Sequence, residues 1–322
     1  MTEPTIMKYF PISPLILRPD FRGPFDIYLR HDNNYVLFNA QNRLLSQAKR
    51  DELAATDIDY VYIEEDSLKS YNAYLRANLM GVLNDENIPL NHRSQAWANA
   101  ATALAKELFE INLPGPAFKK RYNRFEELIN NSASFVQSPL SLKHITRFIN
   151  KGYDTYQHGV STMVYAVNLI QEYDFEDCDS LACGMGALLH DIGKVGLPEN
   201  IVNADPSGLS PDEFAVLSMH PMIGVRNCAN FNLPIIATNC ILFHHERADG
   251  KGYPTQATHA EIPLPIRIVA LCDRYDNLTR NRPFKRALKP FDALKVITDD
   301  KGLVEPDMLK RFIGLLSRAE IV

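Results

Sequence analysis

Two pairs of adjacent metal-ligand residues, each in an apolar helical segment, constrain the fold of this chain more than any other feature. They are His190 with Asp191 and His244 with His245. Neighbouring residues on a helix point about 100° apart, so each pair can address two ions side by side more readily than it can chelate one. A carboxylate can bind one cation through each oxygen, which makes Asp191 the natural bridge. The chain must therefore fold so that the two pairs converge.

The helical phase around both pairs indicates that they are buried. The pair at His190 projects from a face of small, uncharged residues, opposite an apolar stripe. That stripe consists of Leu181, Met185, Leu188, Leu189 and Ile192. We expect the first helix to end at Gly193, which leaves Lys194 beside the pair. In the second segment the spacing from Ile236 turns His244 inward, and Pro234 fits the first turn of that helix.

Three further candidate ligands lie at helical positions. Asp273 occupies a slot in an apolar stripe, and burying a lone carboxylate costs several kcal/mol unless it is paired or binds a cation. His158 opens a helix that is apolar on two sides. A capping box at Ser210 to Glu213 starts another helix, which we expect to close at His220. Each of these three side chains is therefore a candidate for the same site.

Each residue alone has a simpler explanation. Asp273 could pair with Arg267 or Arg274, and the glycines and proline of residues 250–254 could form an ordinary turn. A single histidine is more often a hydrogen-bonded core or surface residue than a ligand. The histidines in polar or loop-like surroundings, which we expect not to be ligands, are His31, His92, His144 and His259. Five histidines and two aspartates on successive apolar helices together favour a metal site.

Three motifs resemble the HD-GYP domain, the bacterial branch of the HD metal-dependent phosphohydrolase superfamily that hydrolyses cyclic di-GMP. They are His190-Asp-Ile-Gly-Lys194, His244-His-Glu246 and Asp249-Gly-Lys-Gly-Tyr-Pro254. The resemblance extends from about residue 138 to the C-terminus. The metal ligands that it implies are His158, His190, Asp191, His220, His244, His245 and Asp273, with Asp154 added if a third ion is bound.

The resemblance also implies catalytic and substrate-binding residues. Asp191 and Lys194 would be catalytic. The residues that would contact the substrate are Lys194, Tyr253, Arg282 and Lys285. The chain departs from the common family pattern at Asn277, where alanine is frequent, and at Phe284, where tyrosine is frequent. Members with a third metal carry glutamate in place of Asp154, whose side chain is shorter.

Such a site implies a specific chemistry. Two cations ~3.5 to 4 Å apart lower the pKa of a bridging water and clamp the oxygens of an in-line displacement at phosphorus. Arg282 and Lys285 would stabilise the additional negative charge of the transition state. Iron, manganese and zinc all suit a histidine-rich site with carboxylates, and iron or manganese is expected. The expected activity is a cyclic di-GMP phosphodiesterase that forms pGpG and, by further cleavage, GMP.

Two other functions compete with this one. The first is a non-catalytic cyclic di-GMP receptor or docking module, which would tolerate the loss of ligands that this chain retains. The second is a phosphodiesterase for another cyclic dinucleotide or nucleotide, because Tyr253 alone cannot distinguish guanine from adenine. The resemblance further implies a contact between diguanylate cyclases and the Gly-Tyr-Pro loop, residues 249–254.

Composition limits the classes of protein to which the chain can belong. Its 322 residues, 46% of them hydrophobic, are enough for two domains with sizeable cores. A net charge of -5 argues against a general binder of nucleic acid polymers. The 5 cysteines form no Cys-x-x-Cys pair, and an odd count with no signal-peptide pattern indicates reduced thiols. No apolar stretch approaches the length of a membrane span, so a cytoplasmic location is expected.

Three regions are predicted, and the overall class is mainly α. Residues 1–66 form a small α/β domain of unknown role, with hairpin strands at 26–30 and 35–38, a helix at 45–55 and a strand at 60–63. Residues 67–137 form a helical connector, with helices at 67–83, 92–111 and 117–136, that could pass a signal or form a homodimer. Residues 138–322 form the all-helical HD-type bundle. The first domain could serve only to pack against the catalytic half, or it could be a sensor. The sequence favours neither role over the other.

Overall fold

The computed structural model describes residues 8–18, 21–32, 34–55, 58–110, 114–149, 154–175, 177–258 and 260–322. The chain divides into two compact units, Met1–Ala100 and Ala101–Val322. Asn33 of the predicted hairpin turn and His259 lie outside the described residues. The domain boundaries expected at residues 66 and 137 stay predictions.

A small antiparallel sheet organises the first unit. Its strands are β1 (Tyr9–Ile12), β2 (Phe21–Arg22), β3 (Ile27–His31), β4 (Asn34–Asn39), β5 (Leu44–Leu45) and β6 (Val61–Glu64). Four of them form one sheet in the order β1-β6-β3-β4, and β2 pairs with β5. The predicted hairpin is β3 with β4, in which Leu29 is paired with Val36. Helix α1 (Gln47–Ala55) corresponds to the helix predicted at 45–55, but it begins two residues later, because Leu45 lies in β5, a strand that was not predicted.

Long helices follow the sheet. They are α2 (Leu68–Asn84), α3 (Leu90–Leu108) and α4 (Gly115–Val136). The boundary between the two units falls inside α3. The three helices agree closely with the predicted connector helices, and Pro114 precedes α4 at the predicted break.

Helices also dominate the remainder of the second unit. They are α5 (Pro139–Ile149), α6 (Thr155–Leu169), α7 (Asp177–Leu189), α8 (Glu199–Val202), α9 (Pro211–Leu217), α10 (His220–Cys228), α11 (Ile235–Phe243), α12 (Leu264–Thr279), α13 (Pro290–Asp299) and α14 (Pro306–Arg318). The predicted mainly α class is confirmed. Among the described residues, no helix combines the length and apolar character needed to cross a membrane.

Helix α6 lies at the centre of this unit. Every residue from His158 to Leu169 is buried, so the helix packs on all sides. Gly159 allows α6 to approach α7 closely, because a Cβ at this position would lie 2.2 Å from the carbonyl oxygen of Leu188. On another side Tyr165 contacts Tyr275 of α12 with ring centroids 5.2 Å apart. The two close contacts fix the helices that carry the candidate ligands.

Two helix ends differ from those expected. Helix α7 ends at Leu189 rather than Gly193, because the side chain of His190 donates from Nδ1 to the carbonyl oxygen of Ala187 at 2.7 Å. Gly193 instead lies in a short 3-10 turn, Ile192–Gly196.

The expected end of the next helix is also wrong. The capping box of Ser210 and Glu213 is present, but the helix that it starts ends at Leu217. His220 is the first residue of α10, since the proline that follows it suits the first turn of a new helix.

Candidate metal centre

Five elements of the second unit carry the seven predicted ligands to one place. Helix α6 provides His158 in its first turn, and α12 provides Asp273. His190 and Asp191 follow the end of α7, and His220 begins α10. His244 and His245 follow the end of α11. The ligand atoms form two groups, one of His158, His190 and Asp273 and the other of Asp191, His220, His244 and His245, each within 4.8 Å.

The first group is fully enclosed. Nε2 of His158 lies 2.8 Å from Oδ1 of Asp273 and 3.2 Å from Nε2 of His190. The three side chains are buried. The negative charges of Asp191 and Asp273 outweigh burial and raise the pKa of His190 to about 10. Binding of a cation to this group would therefore compete with protonation of His190.

The second group contains two nitrogen lone pairs that face each other. His220 donates from Nδ1 to the carbonyl oxygen of Leu217 at 2.7 Å, and His244 does the same to that of Ile241 at 3.0 Å. Burial lowers the pKa of both histidines, that of His244 to about 4. The two Nε2 atoms, 3.2 Å apart, therefore share no proton at neutral pH. A cation between them would remove this repulsion.

Asp191 lies between the two groups. Its Oδ1 is 3.3 Å from Nε2 of His220 and 3.6 Å from Nε2 of His244. Its Oδ2 is 3.5 Å from Nε2 of His190 and 3.7 Å from Nε2 of His158. One carboxylate oxygen thus faces each group, which is the arrangement that a bridging ligand needs.

The acidic ligands are ionised in spite of their burial. Burial alone would raise the pKa of Asp191, but Lys194 and His190 hold it well below its usual range. Nζ of Lys194 lies 2.7 Å from Oδ2 of Asp191. Burial would also raise the pKa of Asp273, which the hydrogen bonds and charges of His158 and His190 keep well below its usual range.

Buried polar atoms without partners indicate that the site is built for cations. Oδ1 of Asp191 and Nε2 of His245 are buried, and neither has a hydrogen-bond partner among the described residues. Such groups are costly to bury unless a ligand satisfies them. Histidine nitrogens and carboxylate oxygens are common ligands of transition metals. Each of the two groups could therefore hold a metal ion.

A cavity of about 580 Å³ opens beside the second group. Its walls include all four residues predicted to contact substrate, Lys194, Tyr253, Arg282 and Lys285. The ring of Tyr253 stacks on that of His245, with centroids 4.6 Å apart and planes 27° apart. The cavity thus combines cationic side chains with an aromatic wall next to the ligand groups.

A tight turn fixes the positions of two positively charged residues, Arg282 and Lys285. The backbone N–H of Arg282 donates to the carbonyl oxygen of Lys285 at 2.9 Å, and the reverse bond is 3.2 Å long. The guanidinium of Arg282 donates to the side-chain oxygen of Asn277. Burial lowers the pKa of Lys285, and the nearby Arg274 and Arg282 lower it further. An anion in the cavity would relieve this repulsion between cations.

The Gly-Tyr-Pro loop lies against the histidine pair. A Cβ on Gly252 would lie 2.4 Å from Cα of Glu246 and 2.5 Å from the carbonyl oxygen of His245, so only glycine permits this approach. Glu246 is itself buried and accepts hydrogen bonds from the backbone and hydroxyl of Thr255 at 2.6 Å and 2.8 Å. The loop therefore braces the end of α11.

Asp154 belongs to neither ligand group among the described residues. It is exposed, and its carboxylate accepts a hydrogen bond from the hydroxyl of Tyr156 at 3.0 Å. The simpler explanation for Asp273 is not supported either: among the described residues its carboxylate contacts His158 and Asn277 rather than Arg267 or Arg274, and Arg267 pairs with Glu305.

Three residues near the ligands escaped the sequence analysis as site residues. Asp276 contacts His158, Asn277 donates to Asp273 at 2.6 Å, and Arg280 contacts Asp276. The i, i+4 spacing of Asp276 and Arg280, one turn after Asp273, was the available signal. Their complete burial was not readable from that spacing, because such pairs are common on exposed helix faces.

Comparison with known proteins identifies relatives that match part of this chain. A cyclic di-GMP phosphodiesterase of Pseudomonas aeruginosa is 31% identical over 185 residues, which are 56% of this chain and 44% of that protein. One of Thermotoga maritima is 38% identical over 132 residues, 40% of this chain and 36% of that protein. The chain therefore spans less than half the length of these two relatives.

A solved structure and a family model cover more of the chain. The structure of an HDG"Y"P protein from Bdellovibrio bacteriovorus has a TM-score of 0.68 at 21% identity, covers 96% of this chain and 100% of that chain, and shows the same fold. The HD domain model matches residues 123–308, beginning within α4 and thus before the resemblance expected from about residue 138. The expected likeness is confirmed, and the chain belongs to the HD domain family.

Proposed function

We propose that this chain is a metal-dependent phosphodiesterase that hydrolyses cyclic di-GMP to pGpG, with GMP as the product of a second cleavage. The observation that carries the proposal is the position of Asp191, whose two oxygens face two ligand groups beside a cavity lined by cations. The names of the relatives support the choice of substrate, since both are cyclic di-GMP phosphodiesterases.

The proposed ligands would hold two divalent cations. His158, His190 and Asp273 would hold one, while His220, His244 and His245 would hold the other, and Asp191 would contribute to both. When bound, such a pair lowers the pKa of a shared water and neutralises charge on a phosphodiester. The mixture of histidines and carboxylates favours iron or manganese as the metal.

The remaining residues act on the substrate. Arg282 and Lys285 present their positive charges to the cavity, where they hold the non-bridging oxygens of a phosphate. Lys194 lies at the boundary between Asp191 and the cavity, in reach of both the ligand groups and a bound phosphate. Tyr253 offers a ring against which a base can stack.

A turnover assay tests the proposal. Protein loaded with manganese or ferrous iron under anaerobic conditions should convert cyclic di-GMP to pGpG. The products are separated and identified by chromatography. Asp191→Asn should lower the rate by at least about 10²-fold, because it removes the negative charge of the bridging carboxylate and replaces one of its two oxygens by an amide nitrogen. The matched control is Asp307→Asn, the same change at an exposed residue of α14 that pairs with Arg311. It should leave the rate unchanged.

Other outcomes would assign another function. Binding of cyclic di-GMP without turnover, with both metals tried, would favour a receptor. Faster cleavage of a different cyclic dinucleotide or of a mononucleotide would reassign the substrate. The contact of residues 249–254 with diguanylate cyclases, a homodimer and a cytoplasmic location stay predictions.

A further inference from the structure

A buried carboxylate contacts the ring of His158 on the side away from the ligand groups. Oδ2 of Asp276 lies 2.6 Å from Nδ1 of His158, and both side chains are 0% exposed. Nε2, the other nitrogen of the same ring, lies 2.8 Å from Asp273 and 3.2 Å from His190. Asp276 therefore contacts the ring nitrogen of His158 that points away from the proposed metal centre.

Asp276 is itself held in place by a buried arginine. Nε of Arg280 donates to Oδ2 at 2.8 Å, and Nη2 donates to Oδ1 at 3.3 Å. The guanidinium also donates to the carbonyl oxygens of Ile149 at 3.5 Å and Gln157 at 3.4 Å. These bonds connect α12 with the end of α5 and the first turn of α6. Burial would raise the pKa of Asp276, but the charge of Arg280 and the hydrogen bond to His158 together lower it.

His158 differs from other histidines of the centre in the partner of its Nδ1. For His190, His220 and His244 that partner is a backbone carbonyl oxygen, which no substitution can remove. For His158 it is a side chain. A carboxylate in this position fixes the tautomer and orientation of the ring and makes Nε2 a stronger metal ligand. The dependence of His158 on Asp276 can therefore be tested by mutation.

We propose that Asp276 is a positioning residue of the metal centre, which accepts the Nδ1 proton of His158 so that the Nε2 lone pair faces the group of His190 and Asp273. Arg280 keeps the carboxylate of Asp276 in the orientation that this bond needs. Asp276 touches neither an ion nor the substrate. This inference rests on the metal centre of the proposed function, and not on the identity of the substrate.

Metal binding provides the test. The full chain, stripped of metal by a chelator, is titrated with Mn²⁺, and free Mn²⁺ is followed by electron paramagnetic resonance. Asp276→Asn should weaken the binding of one of the two ions by about 10- to 100-fold and leave the other unchanged. The weakened step should be the one that His158→Ala abolishes.

Controls separate positioning from stability. Asp276→Asn leaves the buried charge of Arg280 without its partner, which destabilises a fold strongly. The double variant Asp276→Asn with Arg280→Gln removes both charges and should show the same selective loss of one ion. Arg267→Gln, a substitution in α12 as well, breaks the ion pair with Glu305 before α14 and should lower thermal stability without changing either ion's affinity.

The outcomes are distinct. The inference is overturned if the Asp276 variants bind both ions as tightly as the wild type, or if both ions weaken to the same extent. Wild-type protein that binds no Mn²⁺ would overturn it together with the metal centre. A selective loss of one ion in a protein that does not cleave cyclic di-GMP would support the positioning role and refute the proposed substrate.

Discussion

Replacing Gly159 by alanine should push α6 and α7 apart at the point where both helices carry metal ligands. The added Cβ would lie 2.2 Å from the carbonyl oxygen of Leu188. Carbon–oxygen contacts in proteins are rarely shorter than about 3.3 Å, so the helices must separate by about 1 Å. The obstacle is backbone, and it cannot rotate away as a side chain would.

The magnitude follows from two opposing effects. Overpacking of this kind costs about 1 to 3 kcal/mol, and the upper end applies because backbone must move. Gly→Ala in a helix also stabilises by about 0.4 to 1 kcal/mol through the unfolded chain. We expect a net loss of about 2 kcal/mol, or about 4 to 8 °C in the Tm of the second unit. Metal affinity should fall too, since His158 adjoins the substituted residue.

Calorimetry and Mn²⁺ titration measure both effects. The matched control is Gly314→Ala in α14 of the same unit, where a Cβ would meet only the side chain of Arg318, at an ordinary 3.5 Å. This variant should be slightly more stable than the wild type, by about 0.4 to 1 kcal/mol. If Gly159→Ala melts at or above the wild-type temperature and binds metal as tightly, the close approach of α6 and α7 is wrong.

Three further predictions concern the site. Removal of metal with EDTA should lower the free energy of unfolding by about 2.7 kcal/mol, compared with protein in free metal at 100 times its Kd. Calorimetry measures the difference, and an unchanged Tm would contradict tight binding of metal by the folded state. Lys285→Ala should raise KM for cyclic di-GMP by about 10-fold or more, because a charged contact to phosphate contributes about 1.5 to 3 kcal/mol, and an unaltered KM in steady-state kinetics would remove Lys285 from the substrate site. Asp154→Ala should leave the number of bound ions unchanged in elemental analysis, because its carboxylate lies in neither ligand group among the described residues, whereas loss of one ion would make it a ligand.

Much of the arrangement was predictable from the sequence because it depends on helical phase. Asp273 could be recognised since a carboxylate interrupts an apolar stripe, and its helix buries that stripe as expected. The pair His190 and Asp191 could be recognised since it interrupts a face of small residues. The expectation that adjacent residues address two ions agrees with the positions of His190 and Asp191, although both lie just beyond the end of α7. It is wrong for His244 and His245, whose ligand atoms fall in one group.

The remaining features depend on contacts between distant segments. Asp276 and His158 are 118 residues apart, so no local pattern connects them. The same holds for Arg280, whose spacing from Asp276 also occurs in exposed ion pairs. The end of α7 depends on the side chain of His190, which bonds a carbonyl of the last turn. A propensity argument places the end at Gly193 because it does not include that bond.

The contact between His158 and Asp273, which joins residues 115 positions apart, has a consequence for biosynthesis. A ribosome releases the chain from its N-terminal side, so α6 emerges long before α12 does. The first ligand group cannot close until residue 273 has left the exit tunnel, and His158 has no carboxylate at its Nδ1 until residue 276 follows. An ion could therefore be incorporated at this group only after residue 273 has been synthesised.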